Sequence, residues 1–141
     1  MTQQTVSVLL VEDDEIDIMA VKRAFRKLKS ANPLVVAHDG EEALAIMRGQ
    51  SEKSAPSPRL LLLDLNMPGM GGIDLIREMR NDPALKETIV FVLTSSNLDR
   101  DRVDAYDLNV AGYIVKTNVA RDFLELVTML DHYWRVVEFP T

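Results

Sequence analysis

Short apolar runs alternate with longer amphipathic stretches along the whole chain. The runs are 6–11 (VSVLLV), 34–37 (LVVA), 60–63 (LLLL), 89–93 (IVFVL) and 111–115 (AGYIV). They are almost continuously apolar, as strands covered on both faces must be, and do not alternate like strands with one wet face. The stretches between them carry helical spacing. Ile18, Val21, Phe25 and Leu28 form a stripe in 15–30, Ala43, Leu44 and Met47 in 40–48, and Ile73, Ile76 and Met79 in 72–80. A weaker helix is predicted over 98–108, where Leu98, Val103, Ala105, Tyr106 and Leu108 interrupt a charged segment. The last predicted helix, 119–137, carries Phe123, Val127, Leu130, Trp134 and Val137. Residues 49–58 (GQSEKSAPSP) have linker composition and are expected to form a mobile loop.

Strand followed by helix, five times over, predicts an α/β domain. Its five strands form a doubly wound parallel sheet with right-handed crossovers. A chain of 141 residues is enough for one such domain, spanning 1–141, with an extended C-terminal helix running into an extension at about 131–141. In sheets of this kind ligands bind beyond the carboxyl ends of the strands. Three of those ends are charged here: Glu12-Asp13-Asp14 follow the first run, Asp64 the third and Lys116 the fifth.

Composition narrows the function classes. A net charge of −6 gives no basic footprint for nucleic acid and no attraction to anionic membranes. There are no cysteines, hence no disulfide framework and no thiol chemistry. Neither a signal-peptide pattern nor an apolar run approaching the roughly 20 residues of a membrane span is present, so the cytoplasm is the expected location.

Glu12, Asp13 and Asp64 are hard oxygen ligands. Such a set suits Mg²⁺ or Mn²⁺ and phosphoryl chemistry, not zinc. Lys116 offers a point charge for a phosphoryl oxygen, and Thr94, directly after the fourth run, offers a hydroxyl. With that charge balanced, Asp64 can act as a nucleophile and form an acyl phosphate. Asp14 and Glu15 suit the acidic first turn of a helix, and Ser95, Ser96 or Asn97 a helix cap.

These residues, in LLLDLNMPGMGG, VLTSS and GYIVK after an acidic pair, make the chain similar to the receiver domains of two-component response regulators over about residues 5–130. The resemblance implies the flavodoxin-like receiver fold with Asp64 as phosphoacceptor. It implies Mg²⁺ held by Glu12, Asp13, Asp64 and the backbone carbonyl of Asn66, and a phosphoryl group bound by Thr94 and Lys116. Thr94 and Tyr113 become the switch pair, and Asn66 and Ser96 the positions that tune dephosphorylation. The implied partner is a sensor histidine kinase, and the implied role is a phosphoacceptor that assists its own phosphorylation and dephosphorylation, not a turnover enzyme. No output domain is expected after the last helix, and with that expectation the Pro/Ser-bearing loop before the third strand and the aromatic, apolar C-terminal segment resemble the single-domain partners of phytochrome-type kinases. One departure is Thr117, where the family usually has proline after the lysine.

Other readings are a phosphoryl sink or relay intermediate without output, a degenerate receiver that only dimerises, and two unrelated classes. A haloacid-dehalogenase-like phosphatase wants a second aspartate where Asn66 stands, and a flavodoxin-like cofactor binder wants a Ser/Thr/Gly loop where Glu12-Asp13-Asp14 stand. The last helix has apolar residues outside its main stripe, Leu124, Met129, Tyr133 and Val136. A helix covering one side of a sheet needs one stripe, so the surplus predicts a homodimer. Its expected interface comprises Phe123, Val127, Leu130, Tyr133, Trp134 and Val137.

Overall fold

The computed structural model describes residues 5–65, 67, 69–94, 107–116 and 123–136, with Thr94 described by its backbone alone. Five strands appear in the order expected: β1 (Ser7–Val11), β2 (Leu34–Ala37), β3 (Arg59–Asp64), β4 (Ile89–Thr94) and β5 (Gly112–Val115). Among the described residues the helices are α1 (Glu15–Lys27), α2 (Gly40–Met47), α3 (Gly72–Arg80) and α4 (Leu124–Val136). All but the last two residues of the predicted 98–108 helix lie outside the described residues.

All strand pairs are parallel, and the sheet runs β2-β1-β3-β4-β5. The chain reverses its direction of travel across the sheet between β1 and β3, which opens a crevice at their carboxyl ends. Side chains alternate between faces along each strand. Val8 and Leu10 of β1, Leu60 and Leu62 of β3, and Phe91 and Leu93 of β4 pack with α1 and α4. Leu9 and Val11, Leu61 and Leu63, and Val90 and Val92 pack with α2 and α3 on the other side. Both faces are thus covered, which is why the runs read as solid apolar blocks.

Local chemistry sets the element ends. Asp14 caps α1, its carboxylate accepting from the Ile16 and Asp17 amides at 2.9 and 3.4 Å. Glu15 and Asp17 lie in the first turn, and Arg26 and Lys27 in the last, matching the helix dipole at both ends. Gly72 opens α3 so close behind β3 that a Cβ there would stand 2.7 Å from the Leu65 Cα and 2.8 Å from the Asp64 carbonyl oxygen. Only glycine lets α3 start against the strand that ends in Asp64.

Two expectations change. The 49–58 loop is tied down: Lys53 Nζ donates to the Val36 carbonyl and to Glu42, both at 2.8 Å. Ala55 is buried, and the Arg59 Nε donates to its carbonyl. Lys53 thereby also occupies part of the free edge of β2. The second change concerns the expected dimer interface. Phe123, Val127, Leu130 and Trp134 are buried in the core of the protomer, and Tyr133 packs edge-on against Phe91 at 5.0 Å. Trp134 lies against Phe25 of α1 with ring centroids 6.3 Å apart. Phe123, Val127, Leu130 and Trp134, buried between α4, α1 and the sheet, cannot also face a second copy, whereas Tyr133 keeps part of its surface exposed. The surplus stripe reduces to Met129, 37% exposed, and Val136, 83% exposed, while Val137 lies outside the described residues.

Candidate functional site

Strand parity assembles the site. Glu12 continues the register of Val8 and Leu10, Asp64 that of Leu60 and Leu62, and Lys116 that of Ile114, all on the α1 side of the sheet. The Glu12 amide still donates to the Ala37 carbonyl at 3.0 Å, so its side chain is aimed as rigidly as a strand residue. β4 and β5 are in register at Thr94 and Val115, and β3 and β4 at Asp64 and Leu93. That register brings the ends of β3, β4 and β5 level with one another beside the crevice.

The carboxylates converge tightly. Glu12, Asp13 and Asp64 each offer an oxygen within 4.8 Å of the others. Glu12 is 1% exposed and Asp64 6%, while Asp13 faces solvent. The Lys116 Nζ lies 2.7 Å from a Glu12 oxygen, 2.6 Å from Asp17 and 3.5 Å from Asp64. Burial pushes the Glu12 carboxyl up to about 8, with Asp64 adding to the effect and Lys116 opposing it only in part. For Lys116 burial works against the charged form. The hydrogen bonds it donates to Asp17 and Glu12, with the charges of Asp64 and Glu12, outweigh that and hold it above the ordinary lysine range.

The donor set fits a hard divalent cation. It supplies oxygens only, from three carboxylates at one end of the sheet, with one of them open to solvent. An unneutralised cluster of buried acids is costly, and a cation relieves it.

Of the residues expected from sequence, Glu12, Asp13, Asp64 and Lys116 are brought together. Thr94 ends β4 as expected, with its side chain outside the description. Tyr113 lies half-buried on the opposite face of the sheet, packed against the α2–α3 core. Asn66, Ser96 and Thr117 lie outside the described residues. Asp17 was not foreseen, although its signal was available. It follows the Asp14 cap by three residues and shares the spacing of Val21 and Ala24, a carboxylate on an otherwise inward face. His38, given no role from sequence, bridges Glu42 at 3.1 Å and Glu15 at 3.4 Å just beyond β2.

Comparison with known proteins agrees with this fold. The Response regulator receiver domain family matches residues 8–128. Response regulator Rcp1 of Synechocystis sp. is 33% identical over 128 residues, covering 90% of this chain and 87% of that protein. The crystal structure of Mn²⁺-bound Rcp1 superposes with a TM-score of 0.83 at 31% identity, covering 96% of this chain and 99% of that one. The phosphorylated cyanobacterial phytochrome response regulator RcpA superposes with a TM-score of 0.84 at 32% identity, covering 98% of this chain and all, 100%, of the other.

Proposed function

From the premise that the chain belongs to the response regulator receiver domain family, we propose that Asp64 is its phosphoacceptor and that a sensor histidine kinase is its phosphodonor. The observation that carries this is the buried Asp64 carboxylate, clustered with Glu12 and Asp13 and faced by Lys116 at 3.5 Å. The phosphoryl group passes from a kinase histidine nitrogen to an Asp64 oxygen, the N–P bond breaking as the O–P bond forms. Lys116 stands where it neutralises a phosphoryl oxygen. Thr94, at the end of β4, supplies a hydroxyl to another.

Glu12, Asp13 and Asp64 hold the cation, with the Asn66 carbonyl as a further donor by family resemblance. Mg²⁺ or Mn²⁺ bound there supplies charge neutralisation for the incoming phosphoryl oxygens. The added charge biases the Thr94–Tyr113 pair and the adjacent surface, and with it the affinity for a partner. Ser96 and Asn66 tune how long that state lasts. The likeness to phytochrome response regulators supports a phytochrome-type kinase as donor. Among the described residues no helix is long and apolar enough to cross a membrane, which fits a cytoplasmic relay.

The test is intact mass after incubation with acetyl phosphate and Mg²⁺. One phosphoryl adduct is expected, absent without Mg²⁺ and absent in Asp64→Asn. An adduct that persists in Asp64→Asn would remove Asp64 as the acceptor.

A further inference from the structure

We infer that Asp17 is a positioning residue that draws the Lys116 ammonium off the cation ligands and so sets the affinity of the site for a divalent cation. The inference rests on the receiver reading above and goes beyond it to a residue outside the expected cation, phosphoryl and switch sets.

Lys116 has three protons to donate, and among the described residues its short contacts are with Asp17 at 2.6 Å and Glu12 at 2.7 Å. Asp64, at 3.5 Å, is an ion-pair neighbour only. Asp17 reaches this point because α1 covers the same face of the sheet onto which Glu12, Asp64 and Lys116 project. Its side chain is 21% exposed, against 1% for Glu12 and 7% for Asp64. It is therefore the least buried of the three carboxylates around the ammonium, and it stands outside the Glu12–Asp13–Asp64 cluster.

Those facts set up a competition. Glu12 and Asp64 are wanted by both the cation and the ammonium. With Asp17 in place, part of the ammonium's demand falls on a carboxylate the cation does not use. Without it, among the described residues Lys116 has Glu12 and Asp64 to turn to, and an entering cation must displace it from both. Asp17 thus acts on the cation through Lys116, in addition to any general field of its own charge. The salt bridge to Asp17 also sets what a phosphoryl group on Asp64 must overcome to recruit the ammonium.

The experiment is calorimetric titration of Mg²⁺ at 0.15 M salt. It uses the wild type, Asp17→Asn, Asp17→Glu, Lys116→Met and the Asp17→Asn/Lys116→Met pair, each checked for a folded thermal transition. Asp17→Asn is expected to raise the Mg²⁺ Kd about three- to tenfold, and Asp17→Glu to recover most of the loss. In the Lys116→Met background the same Asp17→Asn change is expected to alter Kd less than about twofold, since the intermediary is gone. An equal fold-change in both backgrounds would mean that Asp17 acts as a remote charge and would overturn the inference, as would an Asp17→Asn protein with wild-type Kd. Should Lys116→Met not fold, recovery in Asp17→Glu decides, and a Glu variant no tighter than the Asn variant overturns it. A wild type that binds no Mg²⁺ would instead remove the receiver reading on which the inference rests.

Discussion

Glu12 is buried between Asp64 and Lys116, and its surroundings decide its charge. Burial lifts its carboxyl from the ordinary 4.5 to about 8, because the apolar exit of β1 and the neighbouring Asp64 both disfavour a second negative charge. The sign for stability follows from linkage. The fold favours the neutral acid, so Glu12 contributes stability that is fully present below pH 4.5 and is lost as the pH rises through about 8. A divalent cation reverses the preference, since it binds the carboxylate. Cation binding near neutral pH should therefore expel protons from the wild type. Calorimetry in two buffers of different ionisation enthalpy measures it: the apparent heats should differ in the wild type and converge in Glu12→Gln. Buffer-independent heats in the wild type would mean that Glu12 is already ionised and that Lys116 neutralises it more fully than its burial suggests. The same balance predicts that Asp64→Asn, by removing a neighbour that raises the Glu12 carboxyl, moves this loss of stability toward lower pH, read as thermal midpoints across about pH 5 to 9.

At the scale of elements, α4 is held by what it buries. Trp134 is 5% exposed and rests on Phe25, while Val127 and Leu130 are fully enclosed. Trp134→Ala should therefore cost about 3–5 kcal/mol of stability, measured by urea denaturation, and leave the association state unchanged. A shift toward monomer without loss of stability would restore the dimer interface expected from sequence. That expectation shows where the pattern ceased to be readable. The strands were legible because each is covered on both faces, and their charged ends were legible because a carboxylate or lysine at the end of an apolar run needs a partner. The partition of apolar residues on the last helix was not. Helical spacing gives the angle of a stripe but not how wide the covering surface is, and here α1 and the sheet together take in more than one stripe. The 49–58 loop misled for a related reason: its polar composition was read as solvation, whereas Lys53 and Arg59 spend their charge on backbone carbonyls. Arg80 does the same, with four carbonyl partners at Lys86, Thr88, Leu108 and Asn109 that join the end of α3 to the approaches of β4 and β5. Asp17 escaped because its partner is 99 residues away, and only the shared face of α1 and the strand ends brings them together.

For the whole molecule, the crevice decides how a donor must approach. Asp64 is 6% exposed at the carboxyl edge of the sheet; on the proposed function, a kinase that presents a phosphohistidine to it has to lie over the strand ends at the mouth of the crevice. The first two turns of α1 flank that mouth through Asp17. There Ile16, 79% exposed, and Met19, 56% exposed, stand three residues apart on one face, an apolar pair with a hydrophobic cost in water that, among the described residues, belongs to neither core cluster. A protein donor that covers the crevice gains by burying both. A small donor such as acetyl phosphate enters without touching them. Ile16→Asp should thus slow phosphotransfer from the cognate kinase by about tenfold or more, the loss of one well-buried anchor. The rate with acetyl phosphate should stay as in the wild type. Equal slowing with both donors would place Ile16 in the architecture of the crevice itself, and no slowing with the kinase would move the docking face away from α1.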